Sequence, residues 1–517
     1  MLFKEIQSDN NMRKSLAIIS IVYLLSQGFI LLLTGTWWDE KTWFFATNEQ
    51  MWNVSMQLGK PSSFFVFAII TAIPEFCGRV LIFILFYFSA IIMFALYSKI
   101  PFIDASDALL MTILYIIIPV NDARALLGVF PYSLGFFLFL LGFYLLTKLQ
   151  EEYQYKRSFF RGLVILVFTG SFTLNSNLVL YFIPLCYIFI YLVKTKDVRG
   201  WYKYIDFLII PFMYFGIKNR FFPPYGLYEG YNSVGIAEIC KATLLSVVEC
   251  LDALKGIMCL WWRYILIGLV AGIVLYKFIY TYIDVKDKSC INKCILLAMG
   301  GVAFYLGVFP YTVIGQGQNL IGVGGRSSVL LGIGMAMIIY AVLLWIPQKQ
   351  IRVYICSVLV ICGIIHFNYF YLLYQQDYYI QLDFMQELKE NFECLEDKKN
   401  LLYLTDYNSE IGATRFYTLN SNAAQVFEDQ SRFIMNGTRD MNYLTDEKRL
   451  YEFVNKGDYQ MKDYEIGRSD GIEAVLYYKN SISLGDTIRL KMLEITNYNE
   501  FEDHLYETRN LEISIEI

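Results

Sequence analysis

Histidine is nearly missing: 517 residues hold two, His366 and His504. So little imidazole argues against histidine-based catalysis. His366, inside an apolar run, reads as a packed or interface-facing side chain. Ten cysteines are present, yet no CxxC or Cys/His cluster has zinc-ligand spacing. From residue 375 onward Cys394 stands alone, so that region holds no internal disulfide. No GxxxxGK[ST] element occurs. GQGQNLIGVGGR (315–326) is glycine-rich but lacks that spacing and a preceding soluble strand, so it reads as a flexible loop. No internal repeat and no low-complexity linker stands out. Charge is scarce too, at 17% of residues. What abounds is apolar and aromatic surface, 56% and 17% of residues, with a mean hydropathy of +0.43. Soluble domains rarely reach these values, so an integral membrane protein is expected.

A membrane span needs about 20 mostly apolar residues. Eleven runs qualify or nearly do: 15–35, 79–98, 105–120, 126–147, 162–175, 177–194, 205–217, 262–282, 294–314, 328–346 and 352–374. The piece 62–74 is too short and reads as a helix on or dipping into the surface. Lys and Arg gather before the first run and in 156–161, 194–203, 286–293 and 347–352. Eleven spans with the amino terminus inside put all of these on the cytoplasmic side, as the positive-inside rule requires. Counting 62–74 as a span would reverse every later connector. The outer face then receives 36–78, NDAR (121–124), 218–260, 315–326 and everything after 375.

Net charge divides the chain at the same place. The overall value of −4 hides a balance of +9 up to residue 374 and −13 beyond it. Two domains follow: a transmembrane body, 1–374, and an acidic extracytoplasmic domain, 375–517. The second opens on a helical pattern that could continue the last span. LLYLT, IEAVLYY, TIRLKML and LEISIEI read as strands, which makes it a small α/β unit. The expected fold is a polytopic α-helical membrane protein of about eleven spans with a C-terminal extracytoplasmic α/β domain. A plasma membrane location follows, with the amino terminus cytoplasmic. An acidic tail argues against nucleic acid as a partner.

Ionisable groups at a membrane boundary are costly and are functional candidates. TGTWWDEKTW (34–43) follows the first run and sets Asp39 and Glu40 among Trp37, Trp38 and Trp43. The next outer turn supplies Asp122 and Arg124. Lys218 and Arg220 end the seventh run, and Arg326 opens the tenth. Acids and bases from four separated loops thus converge at one depth. Such a set suits glycosyl transfer from a lipid-phosphate sugar. One carboxylate takes the acceptor's proton, and cations hold the phosphate leaving group. Asp39 is the expected base and Glu40 its support or alternate. Asp122, Trp38 and Trp43 would position donor or acceptor. Arg326, with Arg124, Arg220 or Lys218, would bind donor phosphate. Each residue also has a plain reading: solvated loop acids, a local Asp122–Arg124 ion pair, snorkelling Lys218 and Arg220, interface tryptophans. No metal site is evident, although the acid pair with phosphate oxygens suits Mg²⁺ or Mn²⁺.

A first span followed by an outer loop that opens on an acidic pair (WWDE) and continues in short amphipathic segments resembles the GT-C glycosyltransferases. Protein O-mannosyltransferases and the aminoarabinose transferases of lipid A belong to that group. The resemblance covers about 15–374 as layout. It implies a polyprenyl-phosphate-sugar donor, a cell-surface glycan, lipid or protein acceptor, and a bacterial envelope role. It also implies a catalytic Asp39, a second acid at Asp122 and a donor-phosphate ligand at Arg326. The pair is DE where DD is commoner. Three rivals remain: a polysaccharide polymerase of the O-antigen type, a transporter or flippase of lipid-linked sugar, and a scaffold whose tail does the binding.

Overall fold

A computed structural model describes residues 10–38, 40–151, 157–196, 198–230, 235–282, 287–398, 400–405, 410–412, 416–428, 433–437, 473–479, 482–507 and 511–514. Its body is helical. Seven helical segments are long and apolar enough to cross a membrane: Met12–Leu32, Glu75–Tyr97, Leu127–Leu149, Asn177–Lys194, Cys290–Thr312, Gly322–Leu343 and Lys349–Glu390. The pair Ile236–Trp262 and Ile265–Lys277 meets at 72° and makes an eighth if counted as one broken span. The runs at 105–120 and 162–175 form shorter apolar helices, as does 62–74. The run at 205–217 lies in Ile205–Phe221, interrupted by Pro211.

Sequence reading left 218–260 as an outer loop, yet most of it belongs to the 27-residue helix Ile236–Trp262. Five charged residues between Glu238 and Lys255 dilute its hydropathy, which hid it from a span test. Its packing has helical period: Ala242, Ser246, Ala253 and Ile257 are buried. They face Cys290–Thr312, while Leu244, Val247, Val248 and Leu251 are exposed.

One helix, Lys349–Glu390, joins the two parts of the molecule. Its 42 residues extend about 63 Å, twice a bilayer's hydrocarbon core. The compositional boundary at 374/375 falls inside it. Val353, Cys356 and Val360 pack in the membrane body, whereas Tyr379, Ile380, Phe384 and Leu388 belong to a second core. That second core covers a four-stranded sheet ordered β2-β1-β3-β4. The strands are β1 Asn400–Thr405, β2 Phe433–Asn436, β3 Ala474–Tyr478 and β4 Leu511–Ser514. β1 is parallel to β2 and β3, and β3 is antiparallel to β4. Ala474, Leu476 and Tyr478 are buried on alternate positions of β3, as a pleated strand requires.

TIRLKML is not a strand. It lies in helix Leu484–Thr496. Ser483 caps that helix and exchanges hydrogen bonds with Asp486, a capping box that outweighs the strand propensity of Thr and Ile.

Candidate functional site

The segment after the first span is tied down from both sides. Thr34 N–H donates to Gln375 Oε1 at 3.1 Å, and Lys491 Nζ donates to Thr34 Oγ1 at 3.2 Å. Gly35 has φ of +98°, and a Cβ there would run into the Tyr378 ring. Arg79, almost fully buried, donates to the carbonyls of Leu33 and Gly35 and stacks over Trp37. Arg79, in the first turns of helix Glu75–Tyr97, thereby organises this turn.

Glu40 is 1% exposed, and each oxygen accepts a backbone N–H. Trp37 N–H donates at 3.0 Å, and Gly128 N–H, from the turn before helix Phe130–Glu151, donates at 3.1 Å. Glu40 therefore clamps two loops together, which is a structural task for the residue expected to support or replace the base. Asp39 lies outside the described residues.

Trp38 sits between them with φ of +57°. Its carbonyl accepts from Thr418 Oγ1 at 2.9 Å, and the Arg326 guanidinium lies 4.6 Å from its ring centroid. Arg326 Nη1 also donates to the Val323 carbonyl. Trp43 is elsewhere: its ring stacks on Phe67 at 3.9 Å, in a small cluster with Met51 and Val54. One ring face is thus taken by packing.

The second acid approaches through the turn Asp122–Ala125. Asn121, before it, has φ of +59°, and its N–H donates to Ser328 Oγ at 2.8 Å. That bond docks the turn on Gly322–Leu330, the segment that carries Arg326. Asp122 and His366 are both fully buried, with Oδ1 and Nε2 3.0 Å apart. The two side chains thus share one hydrogen bond between these atoms. His366 Nδ1, Asp122 Oδ2 and the Tyr264 hydroxyl are buried without a partner. His366, read from the sequence as a packed or interface-facing side chain, is fully buried. The rule that an ionisable group inside a span is a functional candidate applies to it as much as to the acids.

The plain alternative reading of Asp122 and Arg124 as a local ion pair is not met among the described residues. Arg124 donates to the carbonyls of Asn121 and Val120 at 3.0 and 2.8 Å. Its guanidinium lies 4.7 Å from the ring centroids of both Phe86 and Phe367. Lys218 has another neighbourhood, beside Lys60, where Gly59 approaches the Phe222 carbonyl and Tyr225 N–H donates to the Gln57 carbonyl. Burial and then the like charge of Lys218 push Lys60 down to about 8. A base held below its ordinary 10.5 is destabilising while charged. Stability should therefore rise with pH from about 8 toward 10.5, and Lys60→Met should remove that rise. Unfolding measured across this window in both proteins checks it; equal slopes would refute it.

The C-terminal region roofs the group. Val323 N–H donates to the Ile411 carbonyl at 3.1 Å, and Glu410 pairs with Arg263 at 3.1 Å. Lys41 Nζ donates to Asn422 Oδ1. Gly322 has φ of +59°, and a Cβ there would strike the Ile411 carbonyl, so glycine permits this close crossing. Among the described residues, no three His, Cys, Asp or Glu side chains are grouped to hold a metal ion. Glu40, Asp122, Trp38 and Arg326 are brought together, with Arg79 and His366 behind them. Comparison with family models, curated proteins and solved structures finds no match to the chain.

Proposed function

We propose that the protein transfers a sugar from a polyprenyl-phosphate carrier to a cell-surface glycan, lipid or protein on the outer face of the plasma membrane, in the manner of a GT-C glycosyltransferase. The carrying observation is local backbone strain. Among the described residues, only Trp38, Asn121, Lys196 and Glu428 hold positive φ without being glycine. Two of these four immediately precede the candidate acids Asp39 and Asp122. Such conformations cost about 1 kcal/mol or more and persist where the surroundings over-determine them, often at functional sites.

In this reading the acceptor hydroxyl oxygen attacks the anomeric carbon. The bond from that carbon to phosphate oxygen breaks, and its electron pair leaves with the polyprenyl phosphate. The hydroxyl proton passes to Asp39. Arg326, held against Trp38, meets the phosphate as charge grows there. Glu40 fixes the turn that carries Asp39, and Asp122 positions the acceptor. Arg124 is left out of phosphate binding, since phenyl rings flank its guanidinium and two of its N–H groups are used. Eleven spans with basic connectors inside would put the whole group and its roof outside the cell.

The test is radiolabelled sugar transfer from polyprenyl-phosphate donors in membranes at matched expression. Asp39→Asn should lower transfer about 10²–10⁴-fold, the usual worth of a general base, with unchanged unfolding temperature. Full transfer by Asp39→Asn would remove it from the chemistry. One observation favours a second reading. The 72° break between Ile236–Trp262 and Ile265–Lys277 is a feature of transporters with broken helices. Uptake or flipping of lipid-linked sugar in proteoliposomes, without transfer, would establish that reading instead.

A further inference from the structure

Beneath the Asn121 turn lies a small cavity that the proposed reaction does not use. It has room for about one small, water-sized occupant. Tyr23, Phe86, Tyr115, Asn121, Arg124 and Gly332 help to line it. Asn121 is 1% exposed, and neither its Oδ1 nor its Nδ2 has a partner. Left so, a buried carboxamide is costly to desolvate. An asparagine with φ of +59° is therefore held there at two costs, strain and desolvation.

Charge decides the nature of the occupant. Arg124 is 6% exposed and makes no ion pair among the described residues. The nearest carboxylate in sequence, Asp122, bonds to His366. Arg124 Nε and Nη2 are used by backbone carbonyls, which leaves Nη1 without a protein hydrogen bond among the described residues. Tyr115, on the opposite helix, makes no hydrogen bond among them either. Tyr23 spends its hydroxyl hydrogen on the Phe83 carbonyl at 2.7 Å. The wall thus offers three unused donors, Arg124 Nη1, Asn121 Nδ2 and Tyr115 OH, together with one positive charge that forms no ion pair among the described residues. The rest of the lining is largely apolar. Water satisfies donors but leaves the charge; a buried cation is expensive without an opposite charge near it.

We propose that this cavity is a binding site for a small monovalent anion of chloride size, held by Arg124, Asn121 and Tyr115. A phosphate group, whether free or on a lipid headgroup, is too large for it. Occupied, the site stitches the Asn121 turn to helices Ala105–Ile117 and Glu75–Tyr97 and so supports the strained backbone before Asp122. The inference does not depend on the glycosyltransferase reading.

The experiment compares unfolding of the purified full chain in sodium chloride, sodium bromide, sodium phosphate and sodium gluconate at matched ionic strength. Chloride and bromide should raise the unfolding temperature by several degrees over gluconate, as a ligand bound only by the folded state does. Phosphate should not. Asn121→Asp keeps size and backbone preference but places a carboxylate in the cavity; it should abolish the chloride effect. Tyr115→Phe should weaken the apparent chloride affinity several-fold. Anomalous scattering from bromide-soaked crystals should give a peak between Arg124 and Asn121. Equal stability in chloride and gluconate, a bromide peak only elsewhere, or a halide effect unchanged in Asn121→Asp would each overturn the proposal. So would a phosphate effect equal to that of chloride.

Discussion

Glu40→Ala should destabilise the protein by about 3 kcal/mol and loosen the outer turn. Two backbone N–H groups, of Trp37 and Gly128, would lose a charged acceptor at once. Hydrogen bonds to charged groups are worth about 1.5–3 kcal/mol each, and the orphaned donors stay buried. Part of that loss is returned because a carboxylate no longer has to be desolvated. Glu40→Gln keeps one acceptor oxygen and turns an NH₂ toward the other donor, so it should fall between. Unfolding in detergent, followed by denaturant titration, measures both. The comparison with Asp39→Asn separates the two acids. Under the proposed function, Asp39→Asn loses transfer at constant stability, while Glu40→Ala loses transfer and stability together. A Glu40→Ala protein as stable as wild type would show that the carboxylate is no clamp.

The membrane body was legible because hydropathy is a sum over many residues. Each of the seven long apolar helices lies over a run visible in the sequence. Ile236–Trp262 was not legible, since its charges are spread along its length and its buried stripe is small residues, Ala242, Ser246 and Ala253. The region after residue 375 shows the opposite failure. Thr487 and Ile488 suggest a strand, but the stop and start of the segment are set by Ser483 and Asp486, three residues apart. β2, Phe433–Asn436, is too short for any periodicity to show.

The candidate site was legible in its chemistry and less so in its contacts. Charged residues beside spans pointed to Glu40, Asp122 and Arg326, which do lie near one another. Spacing said nothing of what each would touch. A local ion pair was one plain reading of Asp122 and Arg124, but Arg124 turns to the carbonyls of Asn121 and Val120 and Asp122 to His366. His366 arrives from a helix more than two hundred residues away in sequence, and no local pattern announces such a meeting. Lys218 was expected at the same depth as the group, yet it lies near Lys60, and depth in a membrane does not fix position around the bundle.

That long-range meeting supplies the other large effect. Asp122→Leu should destabilise by about 3 kcal/mol, because His366 would be left in an apolar wall of Phe367 and Phe370 with neither ring nitrogen satisfied. His366→Leu should cost a comparable amount, since it strands a buried carboxylate whose Oδ2 already lacks a partner. The double replacement removes both groups and the penalty of orphaning either. Its cost should therefore be smaller than the sum of the single costs by about 1–3 kcal/mol, the coupling of residues in direct contact. Asp122→Asn is the control for shape, since its carboxamide oxygen can still accept from His366 Nε2. Additive costs in the cycle would mean that the 3.0 Å contact carries no energy. Transfer activity of Asp122→Asn then has a clean meaning. A loss at preserved stability assigns the negative charge of Asp122 to the reaction, whereas full activity restricts this buried pair to holding the Asn121 turn against the Arg326 segment.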